Sequence, residues 1–237
     1  MPTIKVNDIS MYYEIHGDGE PLVLITGLGN DISQYEGLIR ILSQRNRVLA
    51  FDNRGAGRTD KPDMPYSIEM MADDTAGLMK ALGIGNAHLL GISMGGRIAA
   101  DIALRYPEQV KSLVLVSTFV KGTGMTLPLR LLSLLFRLPV IKLSKYPMPY
   151  YAVVRQRDGA MAYDCTGRLS QIKAPALVLH GKKDRLAPYR LAQEMHAGIP
   201  GSRMTTFDGG HLFFLSRMEQ FTDLIEDFID SMGRDRP

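Results

Sequence analysis

Apolar residues along the chain fall into two rhythms. Ile9, Met11, Tyr13 and Ile15 alternate with polar neighbours, and the pair Asn7-Asp8 separates them from Thr3 to Val6, a pattern that predicts an opening antiparallel hairpin. Pro21 to Thr26 and Val110 to Val116 are short, largely apolar runs, as strands buried on both faces are, and Arg47 to Phe51, Ala87 to Gly91, Ala176 to His180 and Arg203 to Phe207 read as further strands. Between them run stretches of helical period. One lies near Ser33 to Arg45 with Tyr35, Leu38, Ile39 and Leu42 on one face. Others run from Ser67 to about Leu82, after Ser93, over Ala187 to Ala197 and over Phe213 to Met232. Ser67 reads as an N-cap and Gly83 as a stop. Strands alternating with helices predict an α/β chain with a mostly parallel eight-stranded sheet flanked by helices.

The rhythm breaks between Ser117 and Ser170, where no strand pattern occurs. A Leu-rich basic helix (Leu127 to Leu138), the piece Tyr146-Pro147-Met148-Pro149-Tyr150-Tyr151 and a helical run to Tyr163 take its place. This predicts a short helical cap at 118–169, inserted between core segments 1–117 and 170–237.

Composition narrows the class without deciding it. The 237 residues are 45% hydrophobic and 22% charged, values of an ordinary globule with a sizeable core. A balance of 28 basic against 25 acidic residues contains no basic tract of the kind that binds nucleic acid. The single cysteine, Cys165, allows no internal disulfide and fits a reducing compartment; it reads as a packed cap residue. The opening Met1-Pro2-Thr3-Ile4-Lys5 does not read as an export signal, so the expectation is cytoplasmic. Leu127 to Leu143 is broken by Arg130, Arg137, Pro139 and Lys142, and no membrane span is expected there.

The chemistry gathers at Gly91-Ile92-Ser93-Met94-Gly95-Gly96, where an apolar strand turns directly into a helix. Such a turn holds its central residue in a strained conformation that side chains at 91 and 95 would obstruct, and glycine removes the obstruction. Ser93 is thereby raised as a nucleophile, and the Met94 amide, at the positive end of the new helix, faces a developing oxyanion. A serine hydroxyl needs a base and the base needs a carboxylate. In a parallel sheet both belong on loops at the carboxyl ends of strands. Asp184, after His180-Gly181-Lys182-Lys183, and His211, in Gly209-Gly210-His211, meet that requirement in the order serine, aspartate, histidine. Asp31, Asp52 and Asp208 are rivals for the carboxylate. Asp52 belongs to Asp52-Asn53-Arg54-Gly55, read as a turn pinned by Arg54. His16, His88 and His196 lie away from the expected rim, and His180 reads as structural. The second oxyanion donor is the Leu28 amide in Gly27-Leu28-Gly29. Leu132, Leu135 and Phe136 of the cap, with Leu212, are candidates for the substrate pocket. No cluster has metal-ligand spacing and no cofactor is expected.

The blocks Phe51-Asp52-Asn53-Arg54-Gly55-Ala56-Gly57, Gly91 to Gly96, Ile172 to Asp184 and Gly209-Gly210-His211 resemble, in this order, an α/β-hydrolase of the capped esterase, lactonase and enol-lactonase type. The resemblance implies a Ser93-His211-Asp184 triad acting on a small-molecule ester or lactone of small to medium acyl chain through an acyl-enzyme. Carbon-carbon bond hydrolysis, perhydrolysis and a low-turnover ligand receptor remain open on the same site. Two features depart from the group. Thr26 stands where relatives commonly carry histidine, so a hydroxyl would hold the oxyanion loop. The cap is short, at roughly fifty residues, which leaves the site open or calls for a homodimer through the cap.

Overall fold

The computed structural model describes residues 2–122, 145–146 and 148–234. Eight strands form one sheet: β1 (Thr3–Val6), β2 (Ile9–His16), β3 (Glu20–Ile25), β4 (Asn46–Phe51), β5 (Ala87–Ile92), β6 (Val110–Val116), β7 (Ala176–Gly181) and β8 (Arg203–Phe207), in the order β1-β2-β4-β3-β5-β6-β7-β8. The β1–β2 and β2–β4 pairs are antiparallel and the others parallel. Asn7 turns the opening hairpin at φ 52°.

Alternation along the inner strands sends successive side chains to opposite faces. Val23, Leu49, Leu89, Leu113 and Val178 face one core, which is closed by α2 (Ile68–Ala81), α3 (Met94–Arg105) and α5 (Tyr189–Gly198). Leu24, Val48, Leu90, Val114 and Leu179 face the other, closed by α1 (Glu36–Leu42) and α6 (Met218–Arg234). Small residues let α3 lie close on the sheet. A Cβ on Gly95 would come within 2.0 Å of the Ile25 carbonyl oxygen, and one on Gly91 within 2.5 Å of that of Gly95.

The remaining α-helix among the described residues, α4 (Tyr150–Ala162), is followed by a 3-10 turn over Thr166–Gln171. It is tied to the core by the Tyr151 hydroxyl donating to the Lys61 carbonyl and by Tyr163 donating to Asp101. The Leu127 to Leu138 helix, and with it Leu132, Leu135 and Phe136, lies outside the described residues.

Three elements differ from the periodicity. The first predicted helix begins as a 3-10 turn at Ile32–Tyr35, capped by Asp31 accepting from the Ser33 amide. Ala187 and Pro188 precede α5 rather than open it, because Asp184 holds the Leu186 and Ala187 amides in a turn. The closing helix is divided, with a 3-10 turn at Phe213–Ser216 before α6. There Phe213 stacks on Phe207 at 4.4 Å and Phe214 packs against Phe221 at 5.3 Å, so the tighter turn draws both adjacent rings into the core.

The loop after β4 also departs from expectation. Arg54 pins the turn, but through carboxylates outside it: it is buried and gives a two-pronged bridge to Asp74 of α2, at 2.7 and 2.8 Å, and a second to Asp8. Asp52 instead accepts from the amides of Ile32 and Arg58 and pairs with the Arg58 side chain at 3.1 Å. Asp52 serves two backbone amides, and the guanidinium that reaches it comes from outside the motif.

Candidate active site

Hydrogen bonds continue past the strand ends and set the loops in one row. The Ser93 amide donates to the Val116 carbonyl, Ser117 to Leu179, Lys182 to Phe207 and Lys183 to Gly209. The carboxyl ends of β5, β6, β7 and β8 are therefore stitched side by side, and they carry Ser93, Ser117, Asp184 and the loop to His211.

Ser93 sits at φ 56° and ψ −117°, a region that non-glycine residues avoid. The strain persists because the peptide groups of Ser93 are held, its amide by the Val116 carbonyl and its carbonyl by the Gly96 amide and, at 2.7 Å, by Thr118 Oγ1. His211 Nε2 lies 3.0 Å from Ser93 Oγ, and its Nδ1 lies 2.8 Å from Asp184 Oδ2. The other Asp184 oxygen accepts from the amides of Leu186 and Ala187, both at 2.9 Å. A carboxylate can only accept, so it fixes the proton on Nδ1 and leaves the Nε2 lone pair for the serine hydroxyl. The Asp184 side chain is fully buried while that of His211 stays 17% exposed, open to the cavity.

Ser117, itself at φ 46°, donates from its hydroxyl to the His211 carbonyl at 2.7 Å. It holds the imidazole's backbone from the neighbouring strand end, a role that no motif announces. His180 is buried under the site, where its Nε2–H donates to the Ala187 carbonyl at 2.8 Å, and burial pushes its pKa down. It supports the Asp184 turn and faces no substrate space.

The loop after β3 lies against the serine, where a Cβ on Gly27 would be 3.3 Å from Ser93 Cβ. Asn53 Nδ2 donates to both the carbonyl and the hydroxyl of Thr26, and Thr26 donates on to the Asn30 carbonyl. Thr26 therefore holds this loop by hydroxyl chemistry, as its position predicts. Gln156 of α4, fully buried, accepts from the Gly29 amide at 3.0 Å and donates to the Arg54 carbonyl at 2.7 Å. Sequence reasoning missed Gln156 and Asn53, since their partners stand far away along the chain. Among the described residues, no hydrogen bond uses the amides of Leu28 or Met94.

These groups open on a cavity of about 300 Å³ lined by Ser93, His211, Leu28, Met94, Tyr35 and Arg97, among others. Leu212 is 56% exposed and is among the residues that line it. Tyr35 donates to Asn30 Oδ1 at 3.1 Å, and burial raises its pKa well beyond the usual phenol range. Among the described residues no group of three His, Cys, Asp or Glu side chains is placed to hold a metal ion, and no helix is long and apolar enough to cross a membrane.

Comparison with known proteins agrees with this architecture. The "Putative carbamate hydrolase RutD" of Azorhizobium caulinodans is 30% identical over 259 residues, covering 96% of this chain and 98% of the relative. Among solved structures, the enol-lactonase of Burkholderia xenovorans LB400 superposes with a TM-score of 0.84 at 27% identity, covering 97% and 100% of the two chains. The esterase EaEST from Exiguobacterium antarcticum gives 0.86 at 26%, covering 96% and 98%. The alpha/beta hydrolase fold family model matches residues 20–139, from β3 past β6 and through the strained serine. Sheet order, the turn at Ser93 and these likenesses together make the chain a hydrolase belonging to the α/β-hydrolase fold family.

Proposed function

We propose that the protein is a serine hydrolase of carboxylic esters or lactones of small to medium acyl chain, working through an acyl-enzyme. The observation that carries this reading is the succession Ser93 Oγ, His211 and Asp184, at 3.0 and 2.8 Å, at one rim of the sheet. Ser93 Oγ attacks the substrate carbonyl as its proton passes to His211 Nε2, and Asp184 steadies the imidazolium that forms. The amides of Leu28 and Met94, on facing sides of the serine, receive the oxyanion of the tetrahedral intermediate; losing one such donor typically costs about 3–4 kcal/mol of barrier. His211 then returns the proton to the departing alcohol. Water, deprotonated by the same nitrogen, releases the acid and restores Ser93.

A cavity of about 300 Å³ holds a short or medium acyl group and its alcohol. Residues 118–169 act as the cap, α4 being the part that reaches the oxyanion loop through Gln156. The lactone and carbamate named for relatives present the same carbonyl to the same attack, so both bonds belong in the assay.

A p-nitrophenyl ester series from acetate to decanoate tests the reading. Activity should peak among the short and medium chains. A profile that climbs through decanoate contradicts the pocket assignment. Absence of turnover across esters, lactones and carbamates refutes the reaction class.

A further inference from the structure

Arg97 lies one helical turn beyond Ser93 on α3 and lines the same cavity. It is only 3% exposed, and among the described residues no carboxylate stands within ion-pairing distance of it. The contrast with Arg54 is direct, since that buried guanidinium is met by Asp74 and Asp8. A buried cation without a counter-ion is costly, and folded chains seldom keep one that nothing answers.

What surrounds Arg97 answers it in part. Nη1 donates to the Ala160 carbonyl in the last turn of α4, where the helix dipole is negative. The ring of Phe119 covers one face of the guanidinium at 4.2 Å from its centroid. Burial draws its pKa down to about 10, which leaves it charged at neutral pH, and Asp164, Tyr163 and Cys165 act on it only from a distance. One carbonyl occupies one of five N–H donors. The cavity wall beside it is apolar, formed by Ile92, Met94, Phe119 and Met161.

We propose that Arg97 binds a carboxylate carried by the substrate, so that the natural substrate is a half-ester or a lactone bearing a free carboxylate on its acyl portion. This rests on the reading of Ser93 as the nucleophile. Planar, two-pronged pairing suits guanidinium and carboxylate, and the Ala160 carbonyl takes up Nη1 alone. Four residues advance a helix by about 6 Å, which sets the carboxylate several bonds from the scissile carbonyl.

The test compares monomethyl succinate, glutarate and adipate with the neutral methyl butanoate, pentanoate and hexanoate. For at least one chain length the half-ester should show a kcat/KM at least tenfold higher. That ratio should fall to one or below in Arg97→Met and keep an intermediate value in Arg97→Lys. Neutral and charged esters turned over equally by the unaltered protein, or a preference unchanged in Arg97→Met, overturns the proposal. A role of Arg97 confined to capping α4 would lower stability without moving the ratio.

A binding arm keeps this independent of the chemistry. Ser93→Ala should be stabilised against heat by glutarate or adipate and not by glutaramide, and the effect should shrink in Ser93→Ala/Arg97→Lys and vanish in Ser93→Ala/Arg97→Met. Absent ester turnover together with Arg97-dependent diacid binding refutes the hydrolase reading alone. Ester turnover without diacid binding refutes the anchor alone.

Discussion

Asp184 Oδ2 stands 2.8 Å from His211 Nδ1, with the aspartate side chain closed off from solvent. Asparagine in its place keeps an oxygen for the amides of Leu186 and Ala187 but can turn an NH₂ toward the ring. That favours the tautomer with its proton on Nε2, where Ser93 needs an acceptor. Asp184→Asn should lower kcat on the order of 10³–10⁴-fold, the scale seen when a triad loses its orienting carboxylate. Its melting temperature should stay within a few degrees of the parent's. Ester kinetics beside thermal unfolding check both, and a loss under tenfold contradicts the role.

A second prediction concerns the loop that supports the site. Arg54 and Asp74 are both buried, and removing one strands the other as an unpaired charge. Arg54→Met should destabilise the fold by about 3–5 kcal/mol, whereas Asp8→Asn, at the exposed end, should cost about 1 kcal/mol or less. The pair Arg54→Met/Asp74→Leu should recover much of the single loss. Urea unfolding of the three variants measures this, and a double variant no better than Arg54→Met contradicts it.

Buried His180 gives stability a pH dependence of defined sign. Burial lowers its folded-state pKa, against the pull of Asp184 and of the Ala187 carbonyl. The unfolded chain then binds a proton at higher pH than the folded one. The stabilisation is whole above the ordinary histidine value of about 6.5 and is lost as pH falls through the lowered value. Asp52 and Asp101, raised by burial, act with the opposite sign nearer the carboxylate range. Unfolding free energy should fall from pH 7 to pH 5 in the parent and less so in His180→Gln. Parallel slopes contradict the assignment.

How much of this was legible in the chain depends on how far each interaction reaches. Strands β3 to β7 declare themselves as largely apolar runs, because burial on both faces demands it, and Gly91, Ser93 and Gly95 declare the turn because its strain excludes side chains locally. Asp184 and His211 were placed by their strand-end loops, and the parallel order of β5 to β8 brings them together. What spacing could not supply were pairings across the chain. Arg54 meets Asp74 rather than Asp52, Gln156 reaches 127 residues back to Gly29, and Ser117 holds the His211 carbonyl from 94 residues away. Arg97 is of the same kind. It is enclosed by Phe119, on the loop after β6, and by Ala160 of α4, both more than twenty residues further along the chain. The divided last helix was hidden because local propensity does not register the pull of Phe207 on Phe213.

The central claim is that the hydroxyl at 93 is an activated nucleophile. Incubation with a fluorophosphonate followed by intact-mass measurement tests it most directly. The account predicts a single adduct on the parent protein, none on Ser93→Ala and strongly slowed labelling of His211→Ala. An unlabelled parent, or an adduct that persists in Ser93→Ala, would contradict it.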